Sequence, residues 1–350
     1  MGNDKEQPKK VNETWKLIQN RRSLRSYSSR QINDEDKQKI IKGAIRAPTG
    51  SNMMMYSMLE VDDPEKIATI VSTCDELAFI GKAPLIIIFL ADMQRWDDFY
   101  QASGVTEMCK RMNLEYQPPL EGDLLISICD AMIAAQNSCI VAESLGMGTC
   151  YIGDIIEQIE IVRQTFKLPQ WAIPITMVCY GYPKRPNKPL HLGARYAQKY
   201  VHFKNEYKHL SKEEFDDMYS HIKVRNMQPG AQNLGQHYYL EFVSTSFVME
   251  INRSAKLIID DWLKKDSPFV YPPDEEKLVP NPITIMDSCE IRVDSEKCIG
   301  CWECVNLCPN ECHTKQDNHK SGLREYYYCF ACYSCVYSCP KQCIEIVFKF

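Results

Sequence analysis

The stretch CIGCWECVNLCP at residues 298–309 returns, with the same spacing, as CFACYSCVYSCP at residues 329–340. Each copy reads Cys-x2-Cys-x2-Cys-x3-Cys-Pro, which places cysteines at Cys298, Cys301, Cys304 and Cys308 and again at Cys329, Cys332, Cys335 and Cys339. Of the 17 cysteines in the chain, ten fall between Cys298 and Cys343. The polar opening MGNDKEQPKK has no secretory character, so a disulfide scaffold is a poor explanation for so many thiols. Two tetrahedral zinc sites would each need four thiolates, but they have no use for three evenly spaced cysteines followed by Cys-Pro, twice. The seven remaining cysteines are scattered singly, and Cys139 and Cys179, inside apolar segments, are expected as small buried hydrophobes.

Composition bounds the rest. With 350 residues, 45% apolar and 25% charged, the chain is long enough for one large core and a smaller unit. A net charge of −5 and the absence of long Lys/Arg blocks argue against nucleic acid and against an anionic membrane as partners. Glu6 stands where a myristoylation signal needs Ser or Thr, and the longest apolar run, PLIIIFLA at 84–91, is too short to span a bilayer. That run reads as a buried strand, and a cytoplasmic location is expected.

Helical and strand patterns divide the chain. A helix capped by Asn12 runs through NETWKLIQN, with Val11, Trp15 and Ile18 at helical spacing. A second starts near Asp34 and stops before Pro48, and Asp63-Pro64 marks the start of a third. The longest pattern, DLLISICDAMIAAQNSCIVAESLG at 123–146, is apolar enough for a central helix, with Gly146 positioned to end it. A helix from about Ile155 to Phe166 and the strand IPITMVCYGYP follow. This irregular alternation predicts an α+β layer domain. Residues 204–263 read as a helical extension with a capping box at Ser211–Glu214, and the proline-rich stretch 264–286 reads as a linker. The terminal unit is 287–350, with EIRVD and IEIVF suited to pair as its outer strands.

The doubled cysteine motif resembles the bacterial ferredoxins that carry two [4Fe-4S] clusters. The resemblance implies that Cys298, Cys301, Cys304 and Cys339 hold one cluster and Cys329, Cys332, Cys335 and Cys308 the other, three thiolates from one motif and a fourth from its repeat. Cys312 and Cys343, four residues after Cys308 and Cys339, are not needed as ligands and are expected to pack. Such clusters move single electrons and offer no pocket for an organic substrate, so a second site is expected elsewhere.

Four segments supply it. RRSLRSY at 21–27, APTGSN at 47–52, AAQNSCIVAESLGMGTCYIGD at 134–154 and GYPKRPNKPL at 181–190 resemble, in order, four signatures of the nitroreductase family, flavoproteins that bind FMN at a homodimer interface. The ordered set spans residues 12–203 and implies a nitroreductase-like FMN-binding layer domain. Arg21, Arg22, Ser23 and Arg25 offer the charge-assisted donors an FMN phosphate needs, completed by Lys188 and by Arg185. Pro48, Thr49, Gly50 and Asn52 would meet the polar edge of the ring from the second subunit. Ile152 and Gly153 would present backbone amides beside flavin N5, where glycine permits close approach.

Two positions depart from the family pattern. Met54, Met55 and Tyr56 replace its usual Gln-Pro-Trp and change the pocket's shape, and Leu190 replaces an Arg after Lys-Pro. Segment 92–121, with Trp96, Phe99, Tyr100, Met108, Met112 and Tyr116, occupies the place of a variable lid, and its large side chains are expected to pack. No side chain is expected to act as nucleophile or general base.

The joint reading is an FMN-dependent oxidoreductase fused to its own ferredoxin. It would reduce nitroaromatics, quinones or flavins with electrons from NAD(P)H or reduced ferredoxin. The alternatives are an electron carrier or redox sensor without turnover, and a flavoenzyme of the same fold acting on a specific metabolite as dehalogenase or dehydrogenase.

Overall fold

The apolar run at 84–91 becomes strand β2, Leu85–Asp92, and every residue of it is buried. Its side chains alternate between two cores: Ile86, Ile88 and Leu90 enter one, and Leu85, Ile87 and Phe89 the other. A strand covered on both faces needs no polar side, which is why the sequence shows a continuous run. These features come from a computed structural model that describes residues 12–185, 192–222, 224, 227–264, 289–327, 329 and 333–348. Lys188, Leu190, Cys332 and nearly all of the proline-rich stretch lie outside the described residues.

Strand β1, Tyr56–Glu60, pairs with β2, which pairs with β4, Ala172–Gly181, which pairs with β3, Gly148–Ile152. All three pairings are antiparallel. Strand β1 is not expected from the sequence; it is a five-residue edge strand held by pairing with β2.

On one face lie α2, Asp34–Ile45, and the long α6, Glu121–Ser144. Small residues, Ala131, Ala134, Ala135, Cys139 and Ala142, share this core with Ile40 and Ala44 of α2. On the other face lie α3, Pro64–Thr73, and α7, Ile159–Phe166, contributing Ile70, Ile159 and Val162. The expected start of α7 at Ile155 is four residues early. Residues 154–156 form a tight turn instead, and Gln158 takes a left-handed backbone (φ 44°) before the helix begins.

The caps expected at Asn12 and Asp63 form. The Asn12 side chain accepts from the Trp15 amide, and Asp63 accepts from Glu65 and Lys66 ahead of Pro64 at the first helical position. Yet α1, Glu13–Asn20, buries none of its residues. Trp15 and Ile18 are about half exposed, so helical spacing alone did not secure a core for them.

Between β2 and α6, the lid segment folds as α4, Gln94–Ala102, and α5, Val105–Arg111. Trp96, Phe99 and Tyr100 cluster with ring centroids 5.8–6.3 Å apart. Packing was expected of all the large residues here, but Phe99, Met108 and Met112 are exposed. These short helices are anchored through Trp96, whose indole donates to the Met53 carbonyl at 2.9 Å, and their outer faces have nothing to pack against.

The extension supplies α8, Lys212–Tyr219, with the expected Ser211–Glu214 capping box, then α9, Leu234–Phe242, and α10, Ser246–Trp262. Ile258 and Trp262 of α10 enter the core beside α7. The Trp262 indole donates to the Leu120 carbonyl at 3.0 Å, and Gln170 donates to the carbonyls of Asp261 and Lys264.

In the terminal unit, EIRVD and IEIVF pair as expected: β5, Cys289–Val293, runs antiparallel to β8, Ile344–Phe348. Between them stand α11, Glu303–Leu307, a hairpin of β6, His313–Lys315, and β7, Ser321–Leu323, and then α12, Ser334–Ser338. The sequence repeat is a structural one. Each short helix is entered through a left-handed aromatic, Trp302 (φ 57°) and Tyr333 (φ 55°). At Gly300 (φ 69°) any Cβ would lie 2.0 Å from the His319 carbonyl oxygen, so only glycine fits between the first two cysteines.

Candidate functional site

The segment after α1 does not fold away from the sheet. It crosses the open ends of β3 and β4: the Leu24 amide donates to the Thr149 carbonyl and the Ser28 amide to the Tyr182 carbonyl, both at 2.8 Å. Glycines make the crossing possible. A Cβ on Gly148 would sit 2.6 Å from the Leu24 side chain, and one on Gly181 would sit 2.6 Å from the Tyr27 ring. The extended backbone of 21–27 then sends its side chains to two cavities.

The larger cavity, about 630 Å³, is lined by Lys16, Arg21, Arg22 and Arg185 together with Glu13, Glu143 and the backbone around Gly148. Arg21 Nε forms an ion pair with Glu143 at 3.5 Å, and another guanidinium nitrogen donates to the Thr149 hydroxyl at 3.4 Å. Burial lowers the pKa of Arg22 and raises that of Glu143, which Thr149 and Arg21 then partly pull back. The four expected phosphate donors therefore do not converge. Arg21 and Arg22 face this cavity, Arg25 lines the second, and Ser23 is exposed. Lys188 lies outside the described residues. Arg185 forms an ion pair, 2.6 Å, with Glu303 of the terminal unit.

The smaller cavity, about 240 Å³, lies between the two folds. Arg25, Ser26, Tyr27, Lys82 and Lys184 line one side, and Val305, Cys308, Pro309, Glu311, His313 and Arg324 the other. Tyr27 and His313 are both deeply buried, and the Tyr27 hydroxyl and His313 Nε2 have no hydrogen-bond partner. Burial holds His313 down at about 4, so it is neutral at pH 7. Lys82 bonds Glu311 across the junction, and the Tyr333 hydroxyl donates to Glu241 at 3.0 Å.

The turn at 47–55 hangs from a residue that the sequence reading passed over. Asp130, buried on α6, accepts from the Thr49 hydroxyl, from the Gly50 amide at 3.2 Å and from the Met55 amide at 3.1 Å. Thr49 in turn accepts from the Met54 amide. Pro48 and Asn52 are exposed on this turn, and Ser51, Asn52 and Met54 all have left-handed backbones. The only cue to Asp130 was a carboxylate in an otherwise apolar helix, where a charge needs partners. Met55, one of the departures from the family pattern, is a core residue, 5% exposed.

Ile152 and Gly153 end β3. Ile152 is buried, and a Cβ on Gly153 would meet nothing within 4 Å, so the backbone there faces open space. That open backbone and the 630 Å³ cavity, where Lys16, Arg21, Arg22 and Arg185 outnumber Glu13 and Glu143, fit a planar anionic cofactor.

In the terminal unit Cys298, Cys301, Cys304 and Cys339 line one small cavity, which brings the last cysteine of the second motif to the first three of the other. The Ser321 amide donates to Cys298 Sγ at 3.5 Å, and the Cys304 thiol lies 3.0 Å from the Ser321 hydroxyl. Cys308 sits at the other end of α11. The Cys312 thiol and the backbone amides of Cys312, Asn310 and Glu311 hold it down at about 6, favouring the thiolate that binds metal. Cys312 and Cys343 are buried as expected. Of the scattered cysteines, Cys139 and Cys179 are fully buried, whereas Cys129 is exposed on α6.

Comparison with known proteins follows this division. Residues 18–182 match the model of the nitroreductase family, and residues 290–340 match a 4Fe-4S dicluster domain. The chain joins a nitroreductase domain to a dicluster ferredoxin domain. An FMN reductase (NADPH) of Bacillus subtilis is 29% identical over 186 residues, covering 51% of this chain and 71% of the relative. An NADPH-flavin oxidoreductase of Vibrio harveyi is 27% identical over 216 residues, covering 60% and 80%. Among solved structures, a Bacillus subtilis nitroreductase superposes with a TM-score of 0.52 at 26% identity, covering 59% of this chain and 79% of that one. The nitroreductase domain thus carries the four-stranded sheet with the segment 21–28 crossing its end, and the dicluster domain carries both cysteine motifs.

Proposed function

We propose that the chain is an FMN-dependent oxidoreductase that reduces nitroaromatics, quinones or flavins, with electrons from NAD(P)H or from reduced ferredoxin through its own two [4Fe-4S] clusters. The observation that carries this reading is the shared cavity: Cys308, a ligand expected for the second cluster, and Arg25 and Tyr27 of the flavin signature line the same 240 Å³ space within one chain. The relatives named for FMN reduction with NADPH support the flavin and the nicotinamide donor.

FMN exchanges one or two electrons and the clusters one at a time, which makes the flavin the junction between them. The chain's own residues set the conditions. Arg21 and Arg22 bind the phosphate by charge-assisted hydrogen bonds, and the Ile152–Gly153 backbone donates to developing negative charge on the ring. Arg25 and Lys82 add positive potential where the two domains meet. The turn 47–52 of a second subunit completes the site. A second copy also accounts for the apolar faces left open, Leu125, Ile126, Met132 and Ile133 on α6 and Trp15 and Ile18 on α1. Among the described residues α6 is the one helix long and apolar enough to cross a membrane; it packs across the sheet of a domain we read as cytoplasmic.

Anaerobic protein is expected to contain one FMN and about eight irons per chain, and to turn over a nitro compound in steady state. Absence of turnover across nitroaromatic, quinone and flavin acceptors would leave an electron carrier or sensor. The domain junction has its own test. Replacing both Glu303→Lys and Glu311→Lys puts like charges against Arg185 and Lys82. At about 1 kcal/mol for each of the two exposed pairs, cluster-driven flavin reduction is expected to slow by about thirtyfold at low salt. NAD(P)H-driven turnover should stay unchanged, and equal slowing of both would point to general damage.

A further inference from the structure

Three carboxylates on the α7 side of the sheet have no role in the reading above. Asp75 follows the C-terminus of α3, Asp154 follows Gly153 directly, and Glu157 precedes α7. One carboxylate oxygen from each lies within 4.8 Å of the other two. Glu157 is fully buried, and neither of its oxygens has a hydrogen-bond partner; Oδ1 of Asp75 is likewise buried and unpartnered.

The surroundings worsen the imbalance. From α10, Glu250 also faces Glu157, although its own charge is matched by Arg253 and it accepts from the Gln158 amide at 3.0 Å. In the loop after α3, Glu76 adjoins Asp75, and Arg25 acts on Asp154 from the positive side. Without a countercharge, burial and the neighbouring carboxylates push Glu157 up to about 10 and Asp75 to about 7. Protonating Glu157 would remove its charge and make one oxygen a donor, but would leave its other buried oxygen without a donor of its own. A cation satisfies charge and oxygens together.

We propose that Asp75, Asp154 and Glu157 form a binding site for one hard divalent cation of the Mg²⁺, Ca²⁺ or Mn²⁺ class. Three carboxylates from two segments, with no sulfur or imidazole among them, select such an ion over zinc or copper. The ion ties the end of α3 to the turn that follows Gly153. It thereby holds the backbone expected beside the flavin, as a positioning element and not as a reactant.

The test uses full-length anaerobic protein with flavin and clusters loaded, dialysed against EDTA. Titration with Mn²⁺, followed by the loss of the free-ion electron paramagnetic resonance signal, is expected to give one site per chain, and Ca²⁺ or Mg²⁺ should raise the melting temperature. Asp75→Asn, at a partly exposed position that tolerates an isostere, should weaken Mn²⁺ binding at least tenfold with the iron content unchanged. Glu157→Gln should do the same and remove the cation-dependent shift in melting temperature. Should Glu157→Gln fail to fold, the Asp75→Asn titration decides alone. No Mn²⁺ site in the wild type, or a site undiminished by Asp75→Asn, overturns the proposal.

Discussion

Cys308→Ala is expected to lower the iron content from about eight to about four per chain, to abolish ferredoxin-driven reduction of the acceptor, and to leave FMN and NAD(P)H-driven turnover in place. Among the described residues Cys308 is the motif cysteine that lines the cavity between the two domains, with Arg25 and Lys82. Its thiolate is favoured by four neighbouring donors, so its loss removes both a ligand and the groups preorganised around it. Cys312 complicates the reading. Its amide donates to Cys308 Sγ at 3.2 Å, close enough for its own thiol to substitute. The double variant Cys308→Ala/Cys312→Ala resolves that. Eight irons in the double variant would show that Cys308 is not a ligand, and four irons with intact ferredoxin-driven activity would show that the second cluster is not on the path.

Asp130→Ala is expected to cost about 3 kcal/mol of stability and to weaken FMN binding more than tenfold. Truncation leaves the Thr49 hydroxyl and the amides of Gly50 and Met55 without their charged acceptor, the Met55 amide fully buried and the other two partly. Three left-handed residues within this turn, Ser51, Asn52 and Met54, then lose what holds them. In a domain of this size the loss corresponds to about 6–12 °C in melting temperature. Asp130→Asn keeps an acceptor of the same shape and should recover most of the stability. Urea titration followed by tryptophan fluorescence, with flavin retention on gel filtration, measures both effects. A change below about 1 kcal/mol in Asp130→Ala would mean that the turn is held by other contacts.

Much of this protein was legible in its chain because the relevant physics is local. The doubled cysteine spacing carried the resemblance that implies which thiolates share a cluster, and Gly300 permits the left-handed turn of the first motif. Caps at Asn12, Asp63 and Ser211 formed where short polar side chains preceded helical patterns, since an N-cap needs only its own first turn. The continuous run in β2 announced a strand covered on both faces. Where sequence reading failed, the missing information was in the partner surface. Trp15 and Ile18 of α1 stand at helical spacing, yet among the described residues both remain about half exposed. Strand β1 is too short to declare itself without β2.

The site divides in the same way. RRSLRSY named the donors, but the crossing of β3 and β4 leaves Arg21 and Arg22 at one cavity and Arg25 at another, nearer the terminal unit. Asp130 lies some eighty residues beyond the turn it holds, and Asp75, Asp154 and Glu157 come from two loops joined only by the packing of α3 on α7. The sequence by itself determined the chemistry: eight cysteines spaced for two clusters, and signatures for a flavin. Only the tertiary structure decided the wiring, because which charges face each other depends on how the domains close, and a cavity belongs to no single segment.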